Sequence, residues 1–337
     1  MADSTSNIQA SGGDYTSFQA WFDAKDSVTG THTALAADES FAGQLLANNG
    51  SAVASAWIVK PQSGAKHNGT SRNVSGSGAE MTHASQVIWW FNSNGGDLTV
   101  EDMVLEQTAT SNAVIQGDVA SITYVLTRLV CEKRGTSTNT NIDMNVASTV
   151  TVQDCVVYGH STWGIDTRTA TTNDVVHNTV IGGIGSGDFG ILPANTGTVA
   201  NNISVGHSSE DYFGTGADAS HGANIAEDAT AVTEWDGAGG GVNSVEVLET
   251  GETPTKDYVA FVDKDTAGSE DFHLVDLEHG THSNVALAGG IASEGSGTDI
   301  DGDTRDGSTP DIGADEFAAA AGATDGVAQL IFLTGEI

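Results

Sequence analysis

The chain has 337 residues, with 45 Asp plus Glu against 11 Lys plus Arg and a formal net charge of -34. A surface of that sign repels nucleic acid, whose binding rests on Lys and Arg neutralising phosphates, and no run of 18 apolar residues exists to span a membrane. The acid is spread along the chain rather than gathered in a tail, so it reads as a solvated surface and raises the expectation of adaptation to salty, marine or halophilic surroundings, where ions screen self-repulsion.

The first residues, "MADSTSNIQASGG", are polar and lack the basic and apolar regions of a secretory signal. They read as a flexible arm that orders on contact. The next stretch, Tyr15 to Ser27, predicts a short amphipathic helix with Phe18, Trp21 and Phe22 on one face. Such a helix would plug the first coil of whatever follows, so residues 1–30 are expected as arm and capping helix. Residues 31–95 read as irregular first coils, with "VIWWF" (Val87 to Phe91) a buried strand.

From residue 98 a repeat dominates. Five segments carry an apolar residue, a polar one two on, and an apolar one two further. These are Val100/Asp102/Val104, Leu126/Arg128/Val130, Val152/Asp154/Val156, Val176/Asn178/Val180 and Val199/Asn201/Ile203, with first members 26, 26, 24 and 23 residues apart. A second set of runs lies between them, in which Ile115, Ile142, Ile165 and Ile191 are 27, 23 and 26 apart. Several β-rich strands per repeat at a period near 25 predict a β-solenoid. Each coil rises by one strand spacing of about 4.8 Å. Val100, Leu126, Val152, Val176 and Val199 are therefore expected to stack inside, with Asp102, Asp154, Asn178 and Asn201 lining a corner where asparagines can hydrogen-bond from coil to coil. The two cysteines, Cys131 and Cys155, fall in adjacent coils out of register and are expected as thiols.

These coils, from "VTVQDCVVYG" through "GIDTRTATTNDVVHNTVIG" to "FGILPANTGTVANNISVG", resemble the right-handed parallel β-helix repeat proteins of the pectate-lyase-like superfamily. "DFHLVD" followed by "DIDGDTRDGSTPDIGADEF" resembles the ending of many such chains. The resemblance covers roughly residues 95–317. It implies an all-β, single-stranded right-handed parallel β-helix of about eight to ten coils over residues 31–298, with residues 299–337 as closing segment and apolar tail. It says little about function, since the fold carries lyases, hydrolases, adhesins and virus spikes.

Candidate sites are few. The hydrolase signatures N-T-D, D-D, G-H-G and R-I-K and the lyase signatures W-x-D-H and R-x-P-x-x-R are absent from the chain. If the chain is an enzyme, the acid–base cluster is Arg128, Lys133, Arg134, Asp166 and Arg168, brought together across coils; charge pairing on a solvated face is the plainer reading. The loop holding His207, Glu210, Asp211, Tyr212, Asp218 and His221 could bind a metal or supply acid and base, but its spacing fits no ligand pattern. Asp299, Asp301 and Asp303 alternate as in a calcium loop without the full twelve-residue spacing, so the segment reads first as a structural cap. Beyond it, Leu330, Ile331, Phe332 and Leu333 form an apolar patch suited to an interface.

The expected function is a virion surface protein, a tailspike-like capsid decoration assembled in the host cytoplasm. It is expected as a homotrimer whose partners are other virion proteins, with host-surface polysaccharide as a candidate further ligand and with no nucleic acid and no membrane insertion. A carbohydrate-active lyase or hydrolase is the alternative, and a cell-surface adhesin the next.

Overall fold

The structure is a computed structural model; it describes residues 3–42, 45–47, 56–67, 78–83, 88–91, 96–108, 113–133, 140–182, 187–214, 221–228, 230, 258–263, 270–276, 283–294 and 297–317. Arg134, Asp218 and Leu330 to Leu333 lie outside them. The chain winds into an all-β parallel solenoid of about 7 turns. Each turn contributes one strand to each of three parallel sheets. The first sheet has nine strands, from Ser4–Ile8 through Asp97–Glu101, Thr149–Gln153 and Thr172–Val176 to His221–Gly222. The second has eight, from Ser40–Ala42 through Val130–Lys133 and Val156–Tyr158 to Ile225–Ala226, and the third seven, from Leu45–Ala47 through Ile142–Asp143 and Trp163–Asp166 to Glu210–Tyr212.

Strand alternation decides what points inward. In the first sheet Ser6, Ala34, Val59, Val100, Leu126, Val152, Val175 and Val199 pair in one continuous column, and all are buried. In the third sheet Trp89, Ile115, Ile142, Ile165, Ile191 and Tyr212 form the matching column, as the isoleucine spacing predicts. Cys131 and Cys155 are free thiols buried in this core.

One position of the expected stack is corrected. Val176 pairs with Gln153 and Ala200, and Val175 takes its place between Val152 and Val199. The turn explains the shift. From Asp97–Glu101 onward, six successive coils leave the first sheet through a residue of positive φ: Asp102 (56°), Arg128 (51°), Asp154 (54°), His177 (54°), Asn201 (56°) and Ala223 (51°). In the coil reading "VVHN" the left-handed residue is His177, not Asn178, so the strand ends one residue earlier than the polar pattern suggests.

Asn178 then turns inward with Asn202 and Asn224 as a ladder. The Asn202 side chain donates to the Val175 carbonyl at 2.7 Å and accepts from the Asn178 backbone N–H at 2.9 Å. Asn224 repeats the pattern on the Val199 carbonyl and the Asn202 N–H, at 2.8 and 3.1 Å. The bonds from Asn178 and Asn202 satisfy backbone N–H groups that the corner removes from the strand ladders.

The amphipathic helix is Phe18–Lys25, N-capped by Ser17. Phe22 packs on Trp57 with ring centroids 4.4 Å apart and Phe18 on Trp89 at 5.3 Å, which closes the first turns of the core. The N-terminal residues read as an arm are not free of the solenoid: Ser4–Ile8 pairs in parallel with Thr31–Ala36.

The far part of the chain departs furthest from expectation. The last described coil strand is Ile225–Ala226, and apolar residues of the described segments 258–263, 270–276, 283–294 and 297–317 lie against the outer face of the second sheet. Val104, Val130, Val156, Ile203 and Ile225 point out of that sheet and pack under Val259, Phe261, Phe272, Leu274, Ile300 and Ile312. The segment 299–317 therefore covers the flank of the solenoid rather than closing its end. The second sheet is apolar on both faces, and its outer stripe must be covered.

Asn202→Ala leaves the buried Asn178 N–H without its acceptor, while the Val175 carbonyl keeps its place in the strand ladder. At about 1–3 kcal/mol for one orphaned buried group, chemical denaturation should show a loss of that size. Thr149→Ala, at an exposed position of the first sheet, should stay within about 0.5 kcal/mol of wild type.

Candidate functional site on the outer face of the third sheet

In-register stacking also organises the surface. Trp163 and Phe189 are partners on adjacent strands of the third sheet, and their rings stack with centroids 4.2 Å apart and planes 21° from parallel. Phe213, 40% exposed, meets both edge-on at 5.3 Å. Offset stacking and edge-to-face contact are the arrangements aromatic quadrupoles favour. The Arg168 guanidinium lies 5.4 Å over the Trp163 ring and is held by the Asp166 carboxylate, at 2.6 Å from Nη2.

Asp166 pairs in turn with Asp143 on the preceding strand. Burial first, then the neighbouring Asp166 charge, push the Asp143 carboxyl up to about 6. The result is a strip of three rings, one guanidinium and two adjacent carboxylates on a rigid face. It offers the exposed Phe213 ring to apolar C–H surfaces, and charged donors and acceptors to hydroxyls.

The other sequence candidates have separate surroundings. Arg128 stands at the corner between the first and second sheets, where Nε donates to Asp102 at 2.6 Å. Burial works against the Asp102 charge, but the Arg128 bond and the charges of Arg128 and Lys66 hold its carboxyl below the usual range. Lys133 ends a strand of the second sheet, where burial draws its ammonium down to about 8. Of the five proposed acid–base residues, the structure joins Asp166 to Arg168, and Arg134 lies outside the described residues.

At the corner between the second-sheet strand Ile203–Val205 and the third-sheet strand Glu210–Tyr212, His207 Nδ1 bonds Asp211 at 2.7 Å, and Asp211 also accepts from the N–H groups of Glu227 and Asp228. The Tyr212 hydroxyl is turned inward onto the Asn202 carbonyl. Glu210 pairs with Phe189 in the third sheet. Asp218 and the His221 side chain lie outside the described residues.

The acidic segment 299–317 on the flank is organised around Arg305. Its guanidinium donates to Asp154 at 2.8 and 3.0 Å and to the carbonyls of Gly313 and Ala314 at 2.9 and 2.8 Å, fully buried. Asp299 accepts from the N–H groups of Asp301, Asp303 and Glu316. Asp299, Asp301 and Asp303 could converge on a hard cation, as could His273, Asp301 and Asp315. However, Asp299 is already occupied as a backbone staple, and the cation between Asp271 and Asp301 is His273 itself.

No family model matches the chain, and no curated protein and no solved structure matches it either. The aromatic strip was the feature hardest to see in the sequence. Its signal was the alignment of "WGID" with "FGIL", which places Trp163 and Phe189 at one register position 26 residues apart.

For His273, burial opposes protonation, but hydrogen bonds and charges from Asp301, Asp315 and Asp271 raise its pKa to about 10. A folded pKa above the unfolded value of about 6.5 gives stability that is full below that pH and fades as pH rises through 10. The stability difference between wild type and His273→Gln should therefore be largest near neutral pH and shrink towards pH 10, and NMR should find the ring still protonated at pH 8. A ring titrating near 6.5 would contradict this.

Proposed function

We propose that this chain is a non-catalytic surface β-helix that binds neutral glycans along the outer face of its third sheet, carried on a virion as a tailspike-like decoration. The observation that carries the reading is the strip of Trp163, Phe189 and Phe213 continued by Arg168 and Asp166. Sugar rings present flat C–H faces that match aromatic planes, and vicinal hydroxyls match paired charged groups. The net charge of -34 works against anionic polysaccharides.

The virion location rests on the likeness of the coils to tailspike solenoids. The homotrimer rests on the apolar tail residues Leu330 to Leu333, which would pack around a threefold axis. A hydrolytic reading draws on the Asp143 and Asp166 pair, since two adjacent carboxyls with one raised to about 6 are the components of glycoside cleavage.

Glycan-array screening followed by calorimetry tests the proposal. Trp163→Ala and Phe213→Ala should weaken neutral-glycan binding by tenfold or more, at about 1.4 kcal/mol per tenfold, without hydrolysis products. Binding that is absent in wild type, or unchanged in both variants, would overturn the glycan reading. Product formation abolished by Asp143→Asn would replace it with the enzyme.

A further inference from the structure

The three sheets meet their surroundings differently. The flank layer covers the outer face of the second, and the aromatic strip lies on the third. On the first, register sorts the outward side chains into straight rows. One row runs through Thr151 from Thr5 to Thr198 and has eight positions, five of them threonine. The next runs through Thr149 from Thr31 to Thr172 and has six, four of them threonine. No residue of either row is buried.

Strand propensity favours valine and isoleucine as much as threonine, and solubility alone would be served by the acids used along the rest of the chain. The rows use neither in their middle. From Thr99 to Thr172 they carry no charge, and Val125 is the one side chain there without a hydroxyl. Asp97 and Asp174 are the two charged interruptions, one on each side of that patch.

The hydroxyls of these rows are also uncommitted. Among the described residues none of the row threonines makes a side-chain hydrogen bond within the protein, whereas Thr196, just outside the strands, donates its hydroxyl to the Thr171 carbonyl at 2.8 Å. The rows therefore present hydroxyls and methyls on a lattice. Its intervals are about 4.8 Å from strand to strand and about 6.6 Å between the two rows, two residues apart along a strand. Oxygens on a prism face of hexagonal ice repeat at closely similar intervals in two perpendicular directions. An ice surface carries no net charge, which suits a patch free of it.

We propose that the outer face of the first sheet binds ice through its two threonine rows, centred on Thr149 and Thr151. The hydroxyls donate to and accept from lattice waters, and the methyls fill the gaps between them. A solenoid suits this role because its stacked coils fix the rows before binding, so little side-chain or backbone order remains to be imposed by the crystal. Adsorbed molecules pin the growing front, which lowers the freezing point below the melting point. The face is separate from the aromatic strip, so this activity stands or falls independently of glycan binding.

The test is thermal hysteresis of the full chain on single ice crystals, with light scattering of the same samples. Wild type should shape the crystals and hold a gap between freezing and melting. Thr149→Lys and Thr151→Lys should lose most of that gap while keeping the wild-type circular dichroism and melting temperature. Val262→Lys, at a 54% exposed position of the flank, should keep the gap. Asp174→Thr fills the space between Thr151 and Thr198 and should widen it, a gain that a merely structural role does not produce. No hysteresis in wild type, hysteresis that survives both lysine variants, or no gain from Asp174→Thr would overturn the proposal. Wild-type dimers that Thr151→Lys dissolves would make the face a contact between copies and overturn it too. Should one lysine variant fail to fold, the other and Asp174→Thr decide the matter.

Discussion

Everything in this molecule depends on one backbone corner. Six successive coils leave the first sheet through a single residue in the left-handed region, five of them not Ala. Such a conformation costs an L-residue roughly 1–2 kcal/mol, and the solenoid offsets it by stacking. Asp102, Arg128, Asp154, His177 and Asn201 each donate their backbone N–H to the coil above, at 3.0–3.2 Å, onto Thr127, Gln153, Val176, Ala200 and Gly222. Because every corner repeats the same geometry, the inner columns of both flanking sheets stay in register, and one slipped corner would rotate a whole coil.

The same line of corners receives the lateral layer. Asp154 takes Arg305, the His177 ring meets the Glu294 carbonyl at 2.7 Å, and Asn201 bonds Ile291 and the Gly313 N–H. Side chains that left-handed geometry pushes outward thus become the docking points of a segment 90 to 151 residues away in sequence. A buried ion pair such as Arg305 with Asp154 adds little net stability over an apolar pair, but losing one partner is costly, at about 3–5 kcal/mol. Its role is better understood as fixing where the layer sits, while Ile300, Ile312, Phe272 and the outward valines supply the apolar area.

The sequence made the coils legible because a period-two pattern repeated near 25 residues has one structural solution. The isoleucine column and the capping helix followed from the same logic. Val176 was misplaced since two adjacent valines satisfy the pattern equally, and a histidine at the corner gives no polar-pattern signal distinct from the asparagine after it. The direction of residues 299–317 is not readable, because an acidic, glycine-rich segment looks alike whether it covers an end or a flank; the strands "VVY" and "ISV", with apolar residues on the outer as well as the inner face, hold the clue. Site residues were least legible. Trp163 and Phe189 come together only through register, and the cations expected to cluster are distributed over different sheets, where Asp102 and Asp166 claim two of them.

The account makes the corner both the register device and the anchor of the flank. Asp154→Asn separates the two, since asparagine keeps the left-handed turn but removes the charge facing Arg305. Hydrogen exchange of that variant is the direct measurement. Amides in residues 283–294 and 297–317 should lose protection, while those of Val130–Lys133, Thr149–Gln153 and Val156–Tyr158 keep theirs. Protection unchanged in the flank, or lost equally in the coils, would contradict it.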